Sequence, residues 1–467
     1  MKHLKIKFLA IFCLPAVLSF AQNNAQEAPR YELSLNQAIE LARKNNENYK
    51  NALLEKDLAK QSVNEVLSTG LPQINGQVQA VHNPVVATLA LPDFISPAVY
   101  GNLVAYGLID PRNPNTPPPP ARILPAQFGV KNSLTASVSA SWLLFDGGYL
   151  MGLKASKEYV KLSSLSAKQA EIELELSVKK AYYSIMLLKA SQAAINQNIV
   201  LLEKTANEIN ANLKVGFVEQ IDADRIKLAL SNVKIQAGKV EDQLNVAQQY
   251  LKLLLAVEPN ATILLTDDLE KINPDALMPA MALNDFSERI EMKLLDQQKK
   301  LNAIDRKRWQ YGYAPSLVAF GSYQRNSFGN TFGDLGNQWF EGSSIGATLS
   351  IPLFDGLRKS AMIQKTRIND LKIQNGKNLL QRSIEIERIN ARNAFLRAKQ
   401  TYDLQAENEK LARDLYNRAN IRYREGLGSS LEITGAQTDL LNAQNNKLAA
   451  LYDLLVAEAE FIKASGK

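Results

Sequence analysis

The sequence predicts an α+β membrane protein, internally duplicated, with four β-strands per chain and long paired helices. Three observations carry that reading. The chain opens on an export signal. Two stretches without proline read as very long helices, and the proline-bearing stretches before each one alternate with period two. A short strand-to-helix motif occurs twice, once in each half.

The export signal comes first. Lys2, Lys5 and Lys7 form a basic start, Phe8 to Leu18 is a short apolar run, and Ser19-Phe20-Ala21 fits a small-x-small cleavage site. Residues 1–21 are therefore expected to be a removed signal peptide. Cys13 has no small residue before it and reads poorly as a lipid attachment site. Removal of the peptide leaves no cysteine, one histidine (His82) and a net charge reduced from +7 to +4. That excess is too modest to argue for nucleic acid. Charged residues at 22% and apolar residues at 46% are ordinary for a folding chain. A length of 467 residues gives a loose prior of about three domains. No later run is long and apolar enough for a membrane-spanning helix, so the exported chain either stays soluble or enters a membrane as a β-barrel.

No proline occurs between Pro125 and Pro259, and none after Pro352. Both stretches are rich in Ala, Leu, Lys, Glu, Gln and Asn. Ile172, Leu176, Lys179, Tyr183 and Leu187 show the helical spacing. From Leu150 to Leu213 one straight helix would be about 96 Å long. Helices of that length need lateral packing.

Around 71–145 and 313–352 the period drops to two. Gln73 to Ala80 places Ile74, Gly76, Val78 and Ala80 on one face and Gln73, Asn75, Gln77 and Gln79 on the other. Leu134 to Trp142 has one apolar face and one face of Thr135, Ser137, Ser139 and Ser141. Ile345, Ala347, Leu349 and Ile351 alternate with Gly346, Thr348 and Ser350. Leu317, Ala319, Gly321 and Tyr323 form a weaker run, because Val318 and Phe320 blur its polar face. Such strands suit a soluble sandwich, or a transmembrane barrel with an apolar outside and a wet lumen. The export signal and the small hydroxyl residues favour the barrel. Four strands cannot close one, so chains must pool them; two copies would give a filled interior and three a more open one.

Leu144-Phe145-Asp146-Gly147-Gly148 recurs as Leu353-Phe354-Asp355-Gly356-Leu357. Asp146 and Asp355 are expected to cap the following helix, with Gly147 and Gly356 easing the turn. Val215-Gly216-Phe217 recurs as Glu425-Gly426-Leu427. Both halves thus share one plan: helix, strand, loop, strand, Asp-Gly turn, very long helix, Gly turn, helix.

With these motifs in order, the chain resembles the outer-membrane efflux protein family, the TolC-like channels. Ile351-Pro352-Leu353-Phe354-Asp355-Gly356 is similar to the family's strand-to-helix junction. Arg422 to Glu432, continued by Ala436-Gln437 and Leu440-Leu441, resembles its tip hairpin, and Val215 to Asp222 is a looser copy. The resemblance covers roughly residues 31–463. It implies a homotrimer with a twelve-stranded outer-membrane barrel continued by a long periplasmic α-helical barrel of coiled helical hairpins. It implies a passive exit duct of a tripartite efflux or type I secretion system. Such a duct stands in the outer membrane of a Gram-negative bacterium and extends into the periplasm. Its implied partners are a periplasmic adaptor protein, an inner-membrane transporter and outer-membrane lipid. Within this frame residues 22–260 are the first repeat, with strands about 71–83 and 132–145 and helices 150–214 and 219–256. Residues 261–283 are an equatorial linker. Residues 284–467 are the second repeat, with strands about 314–325 and 343–353 and helices 357–424 and 430–463.

The resemblance also places the functional residues. Gly216, Phe217, Gly426, Leu427 and Gly428 would form the tip hairpin turns and the adaptor docking surface. Asp222 and Glu432 would form carboxylate rings at a pore constriction. Each has a plainer role as well: Ser429 and Glu432 form a capping box, and Asp222 and Asp224 complement a helix dipole. Gly435 and Arg225 stand where many relatives carry a second acidic residue, and Gly428 stands where the type member has a latch arginine. Trp142, Tyr323 and Trp339 suit an aromatic girdle or ordinary packing. His82 reads as a loop residue. Asp110 to Pro120 reads as a rigid extended tract in an outward loop. Phosphate-loop, metal-ligand and histidine-base motifs are missing from the sequence, so no enzyme activity and no cofactor are expected. The alternative is a secreted coiled-coil scaffold or adhesin with a small β-domain, but its helices would need sustained heptads.

Overall fold

The computed structural model describes residues 29–127, 129–276 and 286–466. The export signal and residues 277–285, which include the end of the linker, lie outside the described residues. The chain divides into two compact units, each taking segments from both halves of the sequence. One comprises the described parts of Met1–Glu47, Ile172–Met281 and Ala391–Lys463; the other comprises those of Asn48–Glu171, Ala282–Asn390 and Ala464–Lys467. The sequence repeat is therefore not the unit of packing.

The second unit holds the main sheet. Strands β2 (Gln73–His82), β5 (Asn132–Phe145), β7 (Ser316–Gly329) and β8 (Phe340–Ser350) form it in the order β2-β5-β7-β8, antiparallel throughout. β2 and β8 are its free edges. The weak run at Leu317–Tyr323 extends to Gly329, and the last strand begins at Phe340 and ends at Ser350. His82 is the final residue of β2 and not a loop residue; its Nδ1 lies 2.7 Å from Asn132 Oδ1, and its ring stacks on Phe332 at 5.4 Å. In this sheet the apolar face is open to the surroundings: Ile74, Val78, Leu349 and Ile345 are exposed, Ile345 to 94%.

The long connection from β2 to β5 is folded. β3 (Thr88–Pro92) pairs antiparallel with β4 (Ile123–Gln127), and α3 (Ile95–Ala105) lies between them in sequence. Asp93 fastens this knob. Its carboxylate accepts from Ser96 N at 2.9 Å and Arg122 Nε at 2.8 Å, with its side chain only 1% exposed. The Ser96 N–H and the Arg122 guanidinium hold the carboxyl at about 2. The expected extended tract is corrected at its start: Asn113 N bonds Asp110 O and Thr116 N bonds Asn113 O, both at 3.0 Å. Asp110 and Asn113 also accept from the backbone two residues on, and these side chains bend a chain that its prolines alone would extend.

The two junction motifs differ in detail. Asp146 Oδ1 accepts from Tyr149 N at 2.6 Å, and α4 (Gly147–Lys214) starts at once. A Cβ at Gly147 would sit 2.8 Å from Tyr311 O, so close approach to the end of α6 (Ile290–Tyr311) demands the glycine. In the second copy Gly356 and Leu357 both take φ of 64°, and α7 (Arg358–Arg424) starts one residue later than expected. Leu357 stands where the first copy has Gly148, so a branched side chain occupies a left-handed position. Asp355 Oδ2 accepts from Lys359 N at 3.1 Å.

The first unit is helical apart from one small ladder. α5 (Gln220–Leu255) returns along α4, and α8 (Ser430–Ala464) returns along α7. Ile195, Val240 and Leu441 share one apolar cluster; Phe395, Leu454 and Ala457 share another. β1 (Arg30–Leu33) pairs in parallel with β6 (Thr262–Leu265) of the linker. α1 (Leu35–Asn45) follows β1, and Asp267 accepts from its first N–H, Leu35 N, at 2.8 Å. The buried Tyr182 hydroxyl lies 2.9 Å from Leu33 O and from Asp267 Oδ2, and burial pushes its pKa up. The remaining helix, α2 (Glu47–Thr69), leads into β2. None of the described helices is long and apolar enough to cross a membrane.

Candidate functional site

The two glycine turns that close the helical hairpins are built alike. At the end of α4, Gly216 N bonds Leu213 O at 3.1 Å and Phe217 N bonds Asn212 O at 2.9 Å. At the end of α7, Gly426 N bonds Tyr423 O at 3.1 Å and Leu427 N bonds Arg422 O at 2.8 Å. Each is a Schellman cap, with glycine in the left-handed region at φ 77° and 73°. Phe217 and Leu427 project outward, 82% and 70% exposed. Gly428 has a different reason to be glycine. Its φ is ordinary, but a Cβ would press within 3.1 Å of Tyr423 N and 3.2 Å of Arg422. Gly426→Ala is expected to cost about 1 kcal/mol through the left-handed backbone, read as a lowered melting temperature of the purified protein. An unchanged melt would mean that the turn relaxes freely.

The acidic residues lie beside these turns. Asp222, in the first turn of α5, accepts a hydrogen bond from the Ser430 hydroxyl at the start of α8. Arg225 Nη1 approaches the same carboxylate at 3.8 Å. Glu432 pairs loosely with Arg422 at 3.9 Å, and the Arg422 guanidinium donates to Leu427 O at 3.3 Å. The expected capping box forms on one side only. Ser429 Oγ accepts from Glu432 N at 3.2 Å, but the Glu432 carboxylate turns to Arg422 rather than to Ser429 N. Asp224 accepts from Gln220 at 3.0 Å. Asp222 and Glu432 thus each have their own arginine, and Asp222 ties the α4–α5 hairpin to α8. Leu202, Ile209, Ala223 and Ile226 form the apolar cluster behind this contact, with Tyr423 against it.

Ser430, Arg225 and Arg422 are the members that the motifs did not single out as a cluster. Ser429-Ser430 offers two equivalent hydroxyls in sequence, and only the helix phase decides that Ser429 caps while Ser430 reaches Asp222. Farther along the same helices, Gln437 Nε2 donates to Thr205 Oγ1 at 3.1 Å, Asn198 Nδ2 donates to Gln437 O at 3.3 Å, and Ser191 Oγ donates to Asn445 Oδ1 at 2.7 Å. These polar contacts, the first two of them buried, join α4 to α8. A groove of about 620 Å³ opens beside them, lined by Ala181, Leu188, Val246, Tyr250 and Tyr452. Among the described residues, no group of three or more His, Cys, Asp or Glu is placed to hold a metal ion.

An open sheet with an exposed apolar face, together with helical hairpins that end in glycine turns, is the fold of solved outer-membrane channels. Residues 310–467 match the family model described as outer membrane efflux protein, and the chain as a whole has the fold of that family's channels. No curated protein matches the chain by sequence. Among solved structures, VceC from Vibrio cholerae superposes with a TM-score of 0.68 at 14% identity, covering 92% of this chain and 96% of that one. CusC superposes with a TM-score of 0.71 at 15% identity, covering 97% and 96%. The open-state MtrE channel of Neisseria gonorrhoeae gives 0.68 at 14% identity, covering 92% and 88%. The TolC-like resemblance read from the motifs is thus matched by the family model over residues 310–467 and by the fold of the chain.

Proposed function

We propose that this chain is one protomer of a trimeric outer-membrane exit duct, the outer component of a tripartite efflux or type I secretion system. One observation carries the reading. The four-stranded sheet leaves β2 and β8 unpaired at its edges and turns an apolar face outward. Only further strands and lipid complete such a sheet. Three copies close a twelve-stranded barrel wide enough for an aqueous lumen. The helices carry unpartnered apolar positions too. Leu396, Leu404, Leu411 and Leu415 of α7 are exposed at near-helical spacing, as neighbouring copies require. A secreted scaffold gains no support, because it has no use for an apolar outer sheet face. The duct does no chemistry. An inner-membrane pump supplies the energy through a periplasmic adaptor, which meets the Phe217 and Leu427 turns.

In this reading the tip is held shut partly within each protomer. The Ser430–Asp222 bond ties the two hairpins, and the Arg225 and Arg422 pairs damp the charge that a bare carboxylate ring would carry. The test is single-channel conductance of the detergent-extracted protein in planar bilayers. Asp222→Ala is expected to raise conductance severalfold over the wild type by freeing the hairpins, whereas Glu432→Ala changes cation preference with a smaller effect on conductance. Equal conductance in all three proteins would return Asp222 to a purely structural role. A monomer soluble without detergent would sink the duct itself.

A further inference from the structure

Strand register defines both faces of the main sheet residue by residue. Asn75, Ser139, Ser322 and Ser344 lie in one row across the four strands, and Gln77, Ser137, Gln324 and Gly342 lie in the next on the same face. The Ser322 and Ser344 hydroxyls are 2.9 Å apart, and Thr135 donates to Asn326 Oδ1 at 2.9 Å. Along all four strands this face carries no Asp, Glu, Lys, Arg or His. The charged residues of the sheet, Arg325 and Glu341, stand directly opposite one another on the other face and pair there.

Phenylalanines interrupt the hydroxyl–amide wall at two levels. Phe320 stands one row below Ser322, and its ring covers Gly346, where a Cβ would come within 2.7 Å of it. Phe328 and Phe340 lie toward the opposite end of the same face, with ring centroids 5.8 Å apart and the rings tilted. All three rings are exposed in the protomer. Burial within the chain does not account for them.

We propose that the barrel segment is an electrically neutral passage with a phenylalanine collar near each end, suited to uncharged or amphiphilic organic solutes. The rings take the apolar part of such a solute, and the amides and hydroxyls take its polar part. This proposal rests on the barrel reading above, because the polar face must be the lumen. It is independent of the tip carboxylates, which belong to the other compact unit.

The chain has no cysteine beyond Cys13, so single cysteines report cleanly. Ser322→Cys and Ile345→Cys are compared in outer-membrane vesicles, with small cationic and anionic methanethiosulfonates added from outside. Ser322→Cys is expected to react with both, at a rate ratio within about threefold of that of a free thiol, whereas a charged wall skews it about tenfold or more. Ile345→Cys is expected to be protected from both reagents. Adding Phe320→Glu to Ser322→Cys should shift the ratio about tenfold toward the cation. Phenyl glucoside in excess should slow modification of Ser322→Cys, and Phe320→Ser with Phe340→Ser should abolish the slowing. A tenfold skew with Phe320 intact overturns the neutral passage while the barrel stands. Slowing that survives loss of the rings overturns the collars. Ile345→Cys reacting as fast as Ser322→Cys, or Ser322→Cys reacting with neither reagent, overturns the barrel reading as well.

Discussion

Ile345→Arg is expected to prevent assembly of the channel in the outer membrane. Ile345 is 94% exposed and pairs with Gly321 at the middle of the β7–β8 ladder. In the proposed barrel it faces lipid near mid-depth, where an arginine costs about 2–4 kcal/mol per copy. Three copies suffer the cost together. The readout is the amount of detergent-resistant oligomer recovered from outer membranes. Ser344→Arg, one residue away on the hydroxyl face, should assemble near normally, because its charge enters water. Assembly of Ile345→Arg alongside failure of Ser344→Arg would reverse the two faces. Normal behaviour of both would favour a soluble sheet.

Arg289→Ala is expected to cost about 3 kcal/mol of stability. Its side chain is only 6% exposed. It reaches Glu291 at 3.0 Å, Glu387 of α7 at 2.9 Å and the carbonyl of Ala464 at 3.1 Å. Burial alone disfavours its charge, and the bonds to Glu291 and Glu387 outweigh that and keep the guanidinium ionised. Truncation leaves a buried carbonyl and two carboxylates without their shared donor. Both carboxylates retain some access to water, which keeps the expected loss at the lower end for buried pairs. Chemical denaturation of the detergent-solubilised protein measures it. Arg289→Lys should fall between, because one ammonium cannot serve three directions at once. A loss under 1 kcal/mol for Arg289→Ala would mean that the C-terminal segment is held by its apolar contacts alone.

The strands and long helices were legible because their signals are local. Alternation along Gln73–Ala80 and Leu134–Trp142 needs only neighbouring residues, and proline-free runs rich in good helix formers announce helices without tertiary help. The Leu317–Tyr323 run was weaker for a reason the register explains. Phe320 belongs to the polar face and packs over Gly346, so it broke the pattern without breaking the strand. The knob between β2 and β5 was harder to read. Its ladder joins short segments on either side of a proline-rich tract, and the Asp93–Arg122 pair that helps fasten it joins residues well separated in the chain. The parallel β1–β6 pair was not legible either, because nothing local marks two four-residue strands so far apart as partners.

At the glycine turns, the glycines and carboxylates could be named from motifs, but their partners could not. By itself the sequence determined the α+β class, the duplication, the four alternating strands and the positions of the turns. Those follow from periodicity and backbone preference, which act over a few residues. Only the tertiary structure decided that Asp222 meets Ser430, that Glu432 turns to Arg422, and that the compact units cut across the repeats. These depend on the phase at which long helices meet. A shift of one residue turns a helical side chain by about 100°, and no local pattern carries phase between elements so distant in the chain.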